Sequence, residues 1–227
     1  MINGFYKLGQ CLFSFIWSIS MSALIIVDLQ KDFMLSGSLT VKDAEKIIPV
    51  INRLSQEPFD SVVAAKDWHP RNHISFASTH NKQVGDVIIH EGEEQQLWPD
   101  HCIQGESGSD FVETLDQTRI EKIFYKGSLK NTDSYSVFFD NSKKVSTGLD
   151  EFLQKMAIKR VVIVGLVLEF CVKSTALDAK ALGYDVVLIE EGVASLAKTE
   201  EERQHSFLMI KKECIQVLEL NSFYKIF

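Results

Sequence analysis

The sequence predicts an α/β protein: a three-layer sandwich in which helices flank a mainly parallel central sheet. Three observations carry that expectation. Short β-branched apolar runs recur along the chain, amphipathic stretches of helical period lie between them, and 227 residues suit one domain of this kind.

The elements follow in order. Residues 23–27 (ALIIV) form the first apolar run, uniformly hydrophobic as a strand buried on both faces must be. Residues 42–54 place Ala44, Ile47, Ile48, Ile51 and Leu54 on one helical face. Strands are expected at 61–65 (SVVAA) and 122–125 (KIFY), then an amphipathic helix at 149–156 and a strand at 160–164 (RVVIV). A helix at 172–182 ends at Gly183, a residue suited to a helix stop. It leads into a strand at 185–189 (DVVLI), and a charged helix begins after Thr199 and runs through Phe207 and Ile210. The two long irregular stretches, 68–110 and 127–142, are where function is expected, because loops of that length in compact domains usually carry it.

The first twenty residues stand apart. Residues 11–19 (CLFSFIWSI) are apolar but shorter than the ~20 residues a membrane span needs. No small-residue cleavage site follows, so we read 1–20 as an extension and 21–227 as a single domain; a membrane-surface segment and a secretory signal are the alternatives.

Charge excludes several classes. The 24 Lys and Arg against 31 Asp and Glu leave a net charge of −7, without the basic face of a nucleic-acid binder. No stable membrane insertion is expected. The four cysteines, Cys11, Cys102, Cys171 and Cys214, are far apart and form no CxxC pair. We read them as thiols of a cytoplasmic protein. Nothing in the charge balance calls for a macromolecular partner, and a homo-oligomer is left open.

Chemistry gathers where the strands end. In open parallel sheets, ligands bind beyond the carboxyl ends of the strands. Asp28 follows the first strand, Asp67 lies just past the second, Lys126 closes the third, and Cys171 lies in the loop after the fourth. Cys171 is expected near a helix N-terminus, whose partial positive charge lowers a thiol pKa, with backbone N–H groups of the same turn available to an oxyanion. Asp28 and Lys126 can serve as the base and the orienting group of such a nucleophile. Separately, Asp67, His69 and His73 form a D-x-H-x-x-x-H pattern, and His101 follows in the long loop. One carboxylate with imidazoles suits zinc, manganese or iron, with water or substrate filling the open positions.

These motifs together resemble the nicotinamidases of the isochorismatase-like cysteine hydrolases. The resemblance spans about 23–196 and rests on ALIIVDLQKDF, AAKDWHPRNHISFA, LWPDHCIQG, FYKG with the following Tyr135, and GLVLEFCVKSTALDAKALGYDV. It implies the isochorismatase-like fold and a catalytic triad of Asp28, Lys126 and Cys171. It also implies one divalent metal, zinc first, held by Asp67, His69 and His101, with Ser75 and His73 as further candidates. The ring pocket would be lined by Phe33, Trp98, Tyr135 and Phe170, the last standing where some relatives carry Tyr. A cis peptide between Leu166 and Val167 would turn the Val167 amide toward the oxyanion, beside that of Cys171. The implied reaction is hydrolysis of nicotinamide to nicotinate and ammonia through a cysteine thioester, feeding NAD salvage; pyrazinamide presents the same ring nitrogen and amide. Two rivals remain. One is a related hydrolase acting on another small amide or a vinyl ether, against which the Asp67, His69 and His101 set speaks. The other is a non-catalytic binding protein on the same fold.

Overall fold

Six strands, all paired in parallel, form the central sheet in the order Gln216–Leu218, Asp185–Val193, Arg160–Gly165, Ser22–Val27, Ser61–Asp67, Lys122–Lys126. The computed structural model describes residues 21–227 together with two short paired strands, β1 (Lys7–Leu8) and β2 (Cys11–Leu12). The rest of the expected 1–20 extension lies outside the described residues. The sheet strands are β3 (Ser22–Val27), β4 (Ser61–Asp67), β7 (Lys122–Lys126), β8 (Arg160–Gly165), β9 (Asp185–Val193) and β10 (Gln216–Leu218). Between them come α1 (Ala44–Ser55), α2 (Leu149–Lys155), α3 (Lys173–Ala181) and α4 (Glu200–Lys212), and α5 (Leu220–Ile226) closes the chain.

Strand parity explains the layers. Leu24, Ile26, Val62, Ala64, Val162 and Val164 point to one face and pack with Ile47, Ile48 and Ile51 of α1 and Phe223 of α5. Their alternates Ala23, Ile25, Val63, Val161 and Ile163 point to the other face, against Leu149 and Leu153 of α2, Ala176 and Ala179 of α3, and Phe207 and Ile210 of α4. Both faces are dry, which is why these strands read as continuous apolar runs rather than alternating ones.

Register then delivers the chemistry. Val27 lies opposite both Ala65 and Gly165, and Asp67 lies opposite Lys126. The chain runs outward from β3 through β4 to β7, then returns to β8 on the other side of β3 and continues to β10. The carboxyl end of β3 is therefore a switch point in strand order, the place where such sheets open a crevice. Gly165 is required there: its φ is +118°, and a Cβ would stand 2.1 Å from the Val27 carbonyl oxygen.

Several features depart from the sequence reading. The hairpin of β5 (Val87–His90) and β6 (Glu93–Gln96) stands inside the long loop expected at 68–110, with Val87 and Ile89 exposed. β10 has only three residues and borrows its stability from pairing with β9, so it carries little pattern of its own. In the C-terminal segment, which no sequence motif covers, Phe223 stacks on Phe59 and on Phe227, and the Phe227 ring meets Phe59 tilted at 4.9 Å. Cys214 is disulfide-bonded, which corrects the reading of all four cysteines as thiols. Cys102 and Cys171 are free.

Candidate active site

Asp28, Lys126 and Cys171 meet at the switch point. Lys126 Nζ lies 2.9 Å from Asp28 Oδ2 and donates to Cys171 Sγ at 3.3 Å. It also donates to Asp67 Oδ1 at 2.5 Å and to the Ser134 carbonyl at 3.2 Å. One buried ammonium thus binds two carboxylates, a thiol and a backbone oxygen. An oxygen of Asp28, one of Asp67 and the Cys171 sulfur all lie within 4.8 Å of one another.

Burial sets the protonation states. It pushes Asp28 up to about 7, although the Lys126 ammonium pulls the other way. Burial also pushes the Cys171 thiol well above its ordinary value; Lys126 opposes this and Asp28 adds to it. The lowered thiol pKa expected from a helix end is therefore corrected: dehydration and two carboxylates outweigh the lysine, and the resting sulfur keeps its proton. Lys126 would lose its charge by burial alone, but Asp28 and Asp67 hold it as an ammonium. Asp67 would likewise be raised by burial, but Lys126 and His69 keep its carboxyl well below the usual range.

Cys171 sits in a wide π-type turn, Leu168–Val172, that runs directly into α3. The peptide between Leu166 and Val167 is cis. Among the described residues, nothing accepts a hydrogen bond from the Val167 N–H, and Val167 and Cys171 line the same cavity.

Asp67, His69 and His101 form a second cluster, their ligand atoms within 4.8 Å of one another. His69 Nε2 is 3.5 Å from Asp67 Oδ1, and His101 Nε2 is 3.8 Å from Asp67 Oδ2. Each ring is aimed from behind: His69 Nδ1 donates to the Gly127 carbonyl at 2.9 Å, and His101 Nδ1 to the Pro99 carbonyl at 2.7 Å. Those bonds turn the Nε2 atom of each ring toward the carboxylate, the usual support for metal-binding imidazoles. Gly127, with φ +60°, lets the chain pass this close: a Cβ there would meet the His69 ring at 2.3 Å. This donor set fits a divalent cation. His73 stands behind it. Its ring stacks on His69 at 4.2 Å, and its nitrogens are taken by Ser75 Oγ at 2.7 Å and the Thr132 carbonyl at 3.2 Å.

A small, partly open cavity lies in front of Cys171. Phe33, Trp98, Tyr135 and Phe170 all line it, as do Ser75, Asp67, His69 and His101. Trp98 Nε1 donates to Tyr135 Oη at 3.2 Å, and Phe170 meets both rings, at centroid distances of 4.9 and 5.3 Å. Aromatic rings and a few polar groups share one lining, as a small heteroaromatic ligand requires.

Sequence reasoning missed the braces. Gln30 accepts from the Asp67 N–H at 2.8 Å and donates to the Asp67 carbonyl at 2.7 Å, tying the end of β3 to the end of β4. Asp32 Oδ2 accepts from the Cys102 N–H at 2.7 Å, while the Cys102 carbonyl accepts from the His69 N–H at 3.0 Å. Both braces lie in the quoted QKD segment, but their partners are 37 and 70 residues away. Leu39, Val41 and Leu196 also line the cavity, and no local pattern marks them.

Comparison with known proteins places this geometry. The Isochorismatase domain model matches residues 22–222. The chain belongs to the isochorismatase family. Among relatives, a nicotinamidase of Escherichia coli (strain K12) is 39% identical over 189 residues, covering 82% of this chain and 89% of that protein. Among solved structures, a yeast nicotinamidase bound to the inhibitor nicotinaldehyde superposes with a TM-score of 0.83 at 34% identity, covering 88% of this chain and 100% of that one. A Pyrococcus horikoshii pyrazinamidase in complex with zinc gives a TM-score of 0.71 at 32% identity over 88% of this chain and 99% of that one. The family match extends past residue 196, where the sequence motifs stop. No described helix is long and apolar enough to cross a membrane.

Proposed function

We infer that this enzyme hydrolyses nicotinamide to nicotinate and ammonia, a step that feeds NAD salvage. The observation that carries the reading is the convergence of Lys126 on Asp28 (2.9 Å) and Cys171 (3.3 Å), at the mouth of an aromatic cavity.

The roles follow from the protonation states. Asp28, with its pKa near neutrality, accepts the Cys171 proton as the sulfur attacks the carboxamide carbon. Lys126 stays charged throughout and stabilises the thiolate as it forms. A C–S bond forms, and the oxyanion is received by the N–H groups of Val167 and Cys171. Protonated Asp28 returns its proton to the departing nitrogen, the C–N bond breaks, and ammonia leaves. Water, deprotonated by Asp28, then attacks the thioester; the C–S bond breaks, the sulfur regains its proton, and nicotinate is released.

Asp67, His69 and His101 would hold one divalent ion, with zinc the first choice over manganese or iron and Ser75 close by. When bound, such an ion supplies a coordination position for the pyridine nitrogen, which orients the carboxamide toward Cys171. His73 supports His69 from behind. Phe33, Trp98, Tyr135 and Phe170 enclose the ring, and pyrazinamide fits the same description. A cytoplasmic setting suits the free catalytic thiol. The deciding experiment is ammonia release from nicotinamide by the full chain and by Cys171→Ala. Turnover by the first and none by the second is expected; absence of turnover by the native chain overturns the reading.

A further inference from the structure

Glu169 lies two residues before the nucleophile, yet its carboxylate turns away from the reacting groups. Oε1 accepts from Ser195 Oγ at 2.5 Å and from Ser206 Oγ of α4 at 3.4 Å, and Oε2 accepts from the Leu196 N–H at 3.0 Å. Ser195 Oγ in turn accepts from the Ala197 N–H at 3.0 Å. Two backbone bonds complete the seam: Leu168 N–H to the Ala194 carbonyl at 2.9 Å, and Ala194 N–H to the Gly165 carbonyl at 3.0 Å. The segment held this way, 194–197, joins β9 to α4 and has no regular structure of its own. It places Leu196 in the wall of the cavity that holds Cys171 and Phe170.

We propose that Glu169 is a positioning residue that stitches the nucleophile turn to the 194–197 segment and so holds Leu196 as an apolar wall against the substrate ring. A segment with no ladder of its own keeps its shape only through such anchors, and one carboxylate here supplies two of them, at Ser195 and Leu196. The geometry stands by itself; the effect on substrate rests on the nicotinamidase reading. Glu169 acts through Leu196, so its loss weakens ring binding more than it slows the chemistry, which Asp28, Lys126 and Cys171 perform.

Amide hydrogen exchange and steady-state kinetics test this together. In Glu169→Ala, exchange at 194–197 accelerates, and KM for nicotinamide rises by about fivefold, with kcat within about threefold. Glu169→Gln keeps an acceptor for the Leu196 N–H and restores KM to within about twofold. Leu196→Ala raises KM by itself, and Glu169→Ala added to it raises KM little further. Ser195→Ala cuts the same tie from the other side, and accelerated exchange at 194–197 is expected there too, which keeps the test open should Glu169→Ala fail to fold. Unchanged exchange in the variants, or a KM effect of Glu169→Ala that adds in full to that of Leu196→Ala, overturns the proposal. If the native chain releases no ammonia from nicotinamide while exchange still responds to Glu169→Ala, the functional reading fails and the stitch stands.

Discussion

Lys126 and Cys171 face each other at 3.3 Å, although two strands, β3 and β4, separate β7, which carries the lysine, from β8, after which the cysteine lies. The lysine stem covers part of that gap and the turn after β8, which carries the cysteine, closes the rest, while the two carboxylates beside the ammonium hold its charge in place. An ammonium so enclosed does more than tune the thiol. It is the counter-charge that lets Asp28 and Asp67 be buried together. Lys126→Met leaves those carboxylates uncompensated, so we expect a stability loss of about 3–5 kcal/mol as well as loss of turnover. Urea denaturation measures the first; a midpoint within error of the native protein's contradicts the counter-charge role.

Sulfur chemistry makes a separate prediction. Cys171→Ala should lower kcat by at least about a thousandfold while nicotinate binding, read by calorimetry, changes by less than about threefold. The ring pocket is built by Trp98, Tyr135 and Phe170, and none of them depends on the sulfur for its packing. Retained turnover would exclude Cys171 as nucleophile.

The pH profile follows from Asp28. Asp28 must be ionised to take the thiol proton, and burial places its pKa at about 7. Lowering the pH protonates it, so kcat/KM should fall about tenfold per unit on the acid side, with the break near neutrality. Asp28→Asn has no titrating base at this position and should lose turnover at every pH. A break near 4, the ordinary carboxylate range, would show that burial does not govern this group.

The sheet and its rim were legible because both depend on local signals. Continuous apolar runs mark strands covered on both sides, and residues directly after them are bound to reach the carboxyl edge. That rule puts Asp28, Asp67, Lys126 and Cys171 together without knowledge of strand order. The braces were not legible, because Gln30 and Asp32 find their partners only after β4 and the 101–104 segment dock. Nor was the protonation of Cys171: a helix end suggests a thiolate, but the balance turned on dehydration and on Asp28, which only the packed site reveals.

Asp32 offers a test of one brace. Its carboxylate receives the Cys102 N–H, and Cys102 holds a left-handed φ of +46° next to His101. Asp32→Ala leaves that N–H without its acceptor and should cost about 1–3 kcal/mol of stability. It should also loosen the loop that presents His101, so metal affinity falls with it. Asp32→Asn, which keeps an acceptor, should recover most of both. Equal metal affinity in the native and Ala proteins would confine Asp32 to a folding role.

Metal removal separates substrate orientation from nucleophilic chemistry. Asp67, His69 and His101 line the cavity, whereas Cys171 draws its proton acceptor and counter-charge from Asp28 and Lys126. Chelation should therefore weaken nicotinamide binding before it alters the thiol. Alkylation of Cys171 by iodoacetamide should proceed at a rate within about threefold of the untreated enzyme, because no ligand atom of the cluster is the sulfur's proton acceptor. Added zinc or manganese should restore binding, and His101→Ala should bind metal ~10- to 100-fold more weakly, since a lost ligand costs at least as much as the lost outer-shell partners that set this range. Full nicotinamide turnover by rigorously metal-free enzyme would remove the cluster from substrate binding and leave it a purely structural knot of hydrogen bonds.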